Sequence, residues 1–256
     1  MLRCKIRFHL TFRSVMTPTF RSAALQLAPA TFVVLWSTGF IGAKLGLPYA
    51  EPLTFLALRF VCVASLLGLL ALVLRRPWPA DWRTCAHLAV AGIILHAGYL
   101  SGVFSAIHSG LSAGQVALIV GLQPLLTALL SSLFLGERVG RIQWLGLVLG
   151  FVGVVLVVGT RLGAGGSHAA LALALMALAS ITLGTLYQKR FVPSFDLWTG
   201  SVLQFAAALL VVGPLSLLIE TGRIEWTPSF LFALAWLTLV LSIGAISLLH
   251  LLIRRG

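Results

Sequence analysis

Residues 114–159, GQVALIVGLQPLLTALLSSLFLGERVGRIQWLGLVLGFVGVVLVVG, form two apolar runs separated by a short turn that holds the only charges of the stretch, Glu137, Arg138 and Arg141. Apolar runs of about 20 residues with charge confined to their ends have the length and pattern of helices crossing a hydrocarbon core of about 30 Å. Gln123-Pro124 interrupts the first run near its centre, just after Gly121. Pro124 supplies no N–H, and its ring crowds the carbonyl of Val120, so a helix there should kink and leave polar backbone uncovered. In hydrocarbon those groups must be met by another helix, by Gln123 or by a water-filled cavity. A kink serving only packing and a kink turning Gln123 towards a solute path both fit these residues.

The same pattern extends over the whole chain. Of 256 residues, 59% are hydrophobic and 9% charged, with a mean hydropathy of +1.05, whereas a soluble domain carries about 25% charged residues. The acids Glu51, Asp81, Glu137, Asp196, Glu220 and Glu225 all fall between apolar runs. A net charge of +12 would suggest nucleic acid in a soluble protein, but the basic residues form no face or motif, and membrane topology explains them better. Cys4, Cys62 and Cys85 show no C-x-x-C spacing and imply no disulfide framework. The first 22 residues are basic and lack the apolar core of a secretory signal. They are expected to be a cytoplasmic tail, or to precede a true start at Met16.

Eight spans are expected, at 27–47, 52–74, 85–107, 113–135, 142–158, 169–187, 197–219 and 228–253. With the N-terminus in the cytoplasm, the inside segments collect Arg75, Arg76, Arg83, Arg138, Arg141, Lys189, Arg190, Arg254 and Arg255 besides the basic tail. The outside links hold only Lys44, Arg161 and Arg223. This bias sets both termini inside. A faint internal echo relates Gly42 and Leu58-Arg59-Phe60 to Gly184 and Leu203-Gln204-Phe205. A second copy beginning after five spans enters the membrane from the opposite side, the arrangement of inverted repeats in secondary transporters.

Arg59 is the one charge inside an apolar run. A charge at the bilayer centre costs at least about 2.5–3.5 kcal/mol, which makes it a functional candidate by default. The competing reading has it snorkelling to the interface near Glu51. Trp36, Ser37, His96, Tyr99, Gln115, Ser180, Tyr187 and His250 also fall within spans, where polar residues commonly join helices or anchor at the interface. His96 has a titration range suited to proton relay, but no span supplies it with an acid. The histidines show neither H-x-x-x-H nor H-E-x-x-H spacing, no acidic pair is placed for general acid–base work, and neither a G-x-S-x-G elbow nor a P-loop occurs. An enzyme is therefore not expected, and neither a cofactor nor a metal. Gly42-x-x-x-Gly46 and Gly146-x-x-x-Gly150 read as close helix packing.

The 114–159 stretch, with Pro124, Leu135-Gly136-Glu137-Arg138, Gln143-Trp144-Leu145-Gly146 and the glycines from Gly150 to Gly159, closely resembles the EamA repeat of the drug/metabolite transporter superfamily. Leu35-Trp36-Ser37, Gly39, Gly42, Pro52 and Leu58-Arg59-Phe60 look like the opening two helices of that family. The resemblance implies an all-α polytopic helix bundle of two inverted five-helix repeats, a central cavity, alternating access and export of amino acids, metabolites or drugs. It assigns Pro124 as the kink of the fourth helix, Glu137 as the acid closing it and Arg59 as the second-helix arginine. Against that pattern the chain divides into a tail (1–26), a first repeat (27–160) and a partial second repeat (161–256) that stops after its third helix. A non-transporting membrane remnant or scaffold is the alternative. The expected solute site comprises Trp36, Arg59, Tyr99, Gln123 and Tyr187 in a plasma (inner) membrane exporter. Its expected partners are a small-molecule substrate and the lipid bilayer, with no nucleic acid and a homo-oligomer left open.

Overall fold

The computed structural model describes residues 18–135, 140–162 and 168–244. Within them the chain forms α1 (Pro18–Gly46), α2 (Pro52–Val73), α3 (Trp82–His108), α4 (113–135), α5 (Arg141–Leu162), α6 (His168–Phe191), α7 (Leu197–Ile219) and α8 (228–244). Each overlaps one expected span, and α1 begins nine residues ahead of its own, within the stretch expected to be a tail. Five of these helices contain segments long and apolar enough to cross a membrane, and Val33–Gly46, Ile142–Leu156 and Pro228–Ser242 are shorter apolar segments. The fold is an all-α, multi-pass membrane bundle. The Glu137 turn, the 163–166 loop, His250, Arg254 and Arg255 lie outside the described residues.

Local chemistry sets where the helices start. Pro52 and Pro228 each stand in a first turn, where the missing N–H costs nothing. Asp81 accepts from the Thr84 amide and starts α3 a few residues before its apolar run. Ser112 and Gln115 form a reciprocal capping box at the start of α4, which gives Gln115 a structural role. Two helices change pitch along their length: α3 is a π-helix over Ile93–Gly98, and α8 over Trp236–Gly244. Such wider turns are frequent at functional sites.

The pair α2 and α7 shares one of the two most extensive helix–helix interfaces of the bundle, the other joining α3 to α6. Around the α2–α7 pair, α3 packs on α6 and α7, while α8 packs on α1 and α2. α4 touches α1 and α6, and α5 rests on α4 at the periphery with Ile142, Leu149 and Leu156 exposed. That exposure suits a helix facing lipid, where the tails are as apolar as leucine and helices associate through close packing and interhelical hydrogen bonds. Small residues permit the approach. A Cβ on Gly92 would collide with the backbone of Gln204, and one on Gly102 would meet the Leu173 carbonyl at 2.8 Å and the Ala177 Cβ at 2.9 Å. Gly42 receives Leu237, Gly184 receives Leu95, and Gly150 receives Leu125.

Side chains and loops tie α2 and α7 at both ends. Glu220, just past α7, accepts from the Leu53 amide (2.8 Å), the Thr54 amide (2.7 Å) and the Thr54 hydroxyl (2.8 Å) at the start of α2. The carboxylate thereby meets the positive end of the α2 dipole. In return Glu51 accepts from the Thr221 amide and hydroxyl, both at 2.7 Å, and the Glu225 amide donates to the Tyr49 carbonyl. A single antiparallel bridge joins Ala50 to Ile224. At the other end, the Thr199 hydroxyl in the first turn of α7 donates to the Pro77 carbonyl (2.9 Å), and Arg76 lies 3.9 Å from Asp196, the α7 cap.

Two outcomes follow from this packing. Gly92→Val forces backbone against backbone, so detergent-solubilised protein should lose its monodisperse chromatographic peak. Gly68→Ala, which meets no atom within 4 Å inside α2, should keep that peak and raise stability by about 0.5–1 kcal/mol in thermal unfolding. A further outcome concerns pH. The hydrogen bond from the Thr221 hydroxyl holds the Glu51 carboxyl below its ordinary value of 4.5. A carboxylate lowered on folding stabilises fully above its unfolded pKa and loses that contribution as pH falls through the folded one. Hydrogen exchange at the Thr221 amide, corrected for intrinsic rates, should therefore gain less protection from the fold below pH 4.5, and Glu51→Gln should flatten that dependence.

Candidate functional site

Arg59 lies two turns into α2, about 10 Å along its axis. It is 7% exposed, and its Nε is buried with no hydrogen-bond partner. The side chain therefore does not snorkel to Glu51, whose carboxylate is bonded to Thr221. Burial against the neighbouring helices, rather than distance from the helix end, decides this. The guanidinium is close enough to the Tyr99 hydroxyl and the His96 ring to interact electrostatically with both. Tyr99 is buried at the end of the α3 π-turns, and its hydroxyl is hydrogen-bonded to the Trp36 indole of α1. Three of the expected residues, Trp36, Arg59 and Tyr99, thus form one group drawn from three helices.

His96 belongs to an adjoining layer. Its ring stacks on Phe205 with centroids 4.0 Å apart, and Phe60 lies 5.7 Å from Phe205. His96 Nε2 is 3.4 Å from Gln204 Oε1, and Gln204 Nε2 donates to Gln188 Oε1 at 2.8 Å. Amides and aromatic rings, with no carboxylate among these contacts, hold the histidine between α2, α3 and α7.

Gln123 and Tyr187 have other partners. Gln123 Nε2 lies 3.4 Å from the Thr185 hydroxyl, linking α4 to α6. The Tyr187 hydroxyl is 2.7 Å from His87 Nδ1, and His87 stacks on Phe191 at 5.0 Å. Along α6, Thr185, Tyr187 and Gln188 reach α4, α3 and α7 respectively, so this helix carries the polar connections between the others. α4 itself divides into Ala113–Val120 and Gln123–Leu135, with Pro124 in the first turn of the second piece. The break spans Gly121-Leu122, just ahead of the proline, and the Leu122 amide turns back to the Ile119 carbonyl at 3.1 Å.

Gln204, Gln188, Thr185 and Thr238 escaped the reading of the sequence as site candidates, although Gln204 appeared in the internal echo. For Gln204 the available signal was the one that singled out Arg59, a strongly polar side chain well inside an apolar run; Gln188, beside Lys189 and Arg190, and the two threonines carried no such signal. Among the described residues no group of three or more His, Cys, Asp or Glu is placed to hold a metal ion. The Arg59 group offers a buried cation, hydrogen-bonding groups and aromatic faces, a chemistry suited to binding.

Comparison with known proteins agrees with this architecture. The EamA-like transporter family matches residues 24–159. The uncharacterized transporter YvbV of Bacillus subtilis is 29% identical over 241 residues, covering 89% of this chain and 73% of that protein. A probable amino-acid metabolite efflux pump of Salmonella typhimurium is 30% identical over 161 residues, 62% of this chain and 51% of the pump. A solved crystal structure, 24% identical, superposes with a TM-score of 0.57 over 90% of this chain and 87% of its own, a likeness of fold. The family match covers more than half of the chain and includes the helices that bear Trp36, Arg59, Tyr99 and Gln123, so this multi-pass membrane protein belongs to the EamA-like transporter family.

Proposed function

We propose that this protein is a secondary transporter that exports a small organic solute across the plasma (inner) membrane by alternating access. The observation that carries the reading is the Trp36–Tyr99–Arg59 group: a buried cation beside buried Tyr99, with the more exposed Trp36 bonded to that tyrosine, drawn from α1, α2 and α3. A purely structural bundle gains nothing from a buried guanidinium whose Nε is unbonded, because such a group costs free energy unless something meets it. The name of the Salmonella relative, an efflux pump for amino-acid metabolites, favours export and small metabolites.

The helix pairing supports a mechanism of two inverted copies. α3 packs on α6 and α7 as α8 packs on α1 and α2, while α2 and α7 pair with each other. Exchanging the halves of such a set leaves the pairing unchanged. Gly42 takes Leu237 of α8, and Gly184 takes Leu95 of α3; the same sequence spacing separates the two glycines and the two leucines. Rocking one copy against the other about the α2–α7 contact would open the Arg59 group to either side in turn. On the basic-residue bias, the Glu51–Glu220 end faces outward and both termini face the cytoplasm. Trp36, Tyr99 and Arg59 form the solute contact, and Gln123 and Tyr187 flank the path along α6.

The test is flux from liposomes that contain the purified chain and are loaded with a pool of amino acids and small metabolites. Efflux of at least one solute should saturate with its concentration. Arg59→Ala and Trp36→Ala should each lower the saturable rate by about tenfold or more, equivalent to about 1.4 kcal/mol. Gln115→Ala, at the capping box, should leave it within about twofold. Leakage that never saturates and ignores the Arg59 change would contradict the proposal.

A further inference from the structure

This inference rests on the transport reading and concerns the charge of the solute. Arg59 and Phe60 stand to Gln204 and Phe205 as Thr54 stands to Thr199, at one common spacing along the sequence. The spacing that takes Gly42 to Gly184 and Leu95 to Leu237 also takes His96 to Thr238. The two glycine–leucine contacts realise that correspondence in space. The pair His96 and Gln204, in contact at 3.4 Å, therefore corresponds to Thr238 on α8 and Arg59 on α2, and α2 packs against the π-turns of α8 that carry Thr238.

The two members of this correspondence differ in one respect. Gln204 is satisfied by His96 and by Gln188 of α6. On the other side, Arg59 Nε and Thr238 Oγ1 are both buried and both without a hydrogen-bond partner, at residues 7% and 5% exposed. An unmet donor in a buried site costs about 1–3 kcal/mol, and more when it is charged. Four of the five acids among the described residues are occupied elsewhere, and the fifth, Glu225, is exposed in the loop before α8. Glu51, Glu220 and Asp196 bond at the helix ends, and Asp81 caps α3. The one ion pair found among the described residues joins Arg76 to Asp196. The Arg59 guanidinium thus has no counter-ion among the described residues.

We propose that Arg59 and Thr238 together receive a carboxylate of the transported solute, so that the protein selects monoanionic solutes over neutral ones of the same shape. The planar guanidinium fork matches a carboxylate and can bond it through two parallel N–H groups. The Thr238 hydroxyl supplies a further donor from the opposing helix. Arg59 brings one positive charge, and the cation nearest to it in the described sequence, Lys44, stands in the last turn of α1; a single negative charge is matched and a second is not. The Trp36, Tyr99 and Phe60 rings accept the apolar body of such a solute.

The experiment measures equilibrium binding to the purified full chain in lipid nanodiscs at pH 7. The probes are two matched pairs, phenylacetate with phenylacetamide and 4-methylpentanoate with 4-methylpentanamide. Each carboxylate should bind at least about tenfold tighter than its amide. Arg59→Gln should abolish that preference, Arg59→Lys should retain part of it, and Thr238→Val should weaken the carboxylates several-fold while leaving the amides unchanged. Thr238→Val is nearly the same size as the native residue, so it keeps the test meaningful if the arginine variants fold poorly. Equal affinity within both pairs, failure of both carboxylates to bind, or a preference that survives Arg59→Gln would overturn the proposal. Saturable flux without a carboxylate preference sinks this inference alone, whereas carboxylate binding without any flux sinks the transport reading alone.

Discussion

The rest of the structure depends on two helices that hold each other at both ends. In hydrocarbon there is no gain from hiding leucine against leucine, so α2 and α7 need specific bonds and close backbone approach to stay paired. Glu220 meets the exposed amides at the start of α2, and the first turn of α7 meets Pro77 and Arg76 just beyond α2. Each helix is secured where its own backbone leaves donors unused. The two helices are therefore held in fixed register, and with them Arg59 of α2 and Gln204 of α7.

That register explains how a few polar groups can sit deep in an apolar bundle. Gln204 is met from α3 and α6, and the aromatic layer of His96, Phe60 and Phe205 fills the space beside it. Close approach at Gly92, Gly98, Gly102 and Gly184 brings α3 near enough to α6 and α7 for those short side chains to reach. The π-turns of α3 then turn Tyr99 towards Trp36 and Arg59. Backbone geometry and site chemistry are linked here: without the glycines the amide chain could not close, and without it α3 would present Tyr99 differently.

Much of this was legible in the residues. Apolar runs bounded by charge located every helix, because the cost of burying charge in lipid leaves little freedom in where a span may begin. Pro124 and Gly121 marked the break in α4, and Arg59 announced itself as the only charge within a run. The grouping of the site was less legible. Trp36, Arg59 and Tyr99 came together, but Gln123 and Tyr187 joined Thr185 and His87 instead, since pairing across a bundle is decided by helix crossing, which the period of one helix does not encode. Gln204 was visible as a polar residue in apolar surroundings and Gln188 stood among charges at the end of its span, yet only the crossing of α6, α7 and α3 turns them into a chain. The π-turns left no mark in the sequence, for a single wider turn shifts the helical phase without changing composition.

The most direct test places the loop before α2 against the loop after α7 by chemistry. With Cys4, Cys62 and Cys85 replaced by serine, Ala50→Cys and Ile224→Cys introduce thiols at the one antiparallel bridge between the loop before α2 and the loop after α7. In native membranes, mild oxidation should form an intramolecular disulfide between them, seen as a reductant-sensitive shift in gel mobility, while Val73→Cys with Ile224→Cys, at opposite ends of the pair, should form none. Equal cross-linking of the two pairs, or none in the first, would contradict the account that α2 and α7 lie against each other in this register.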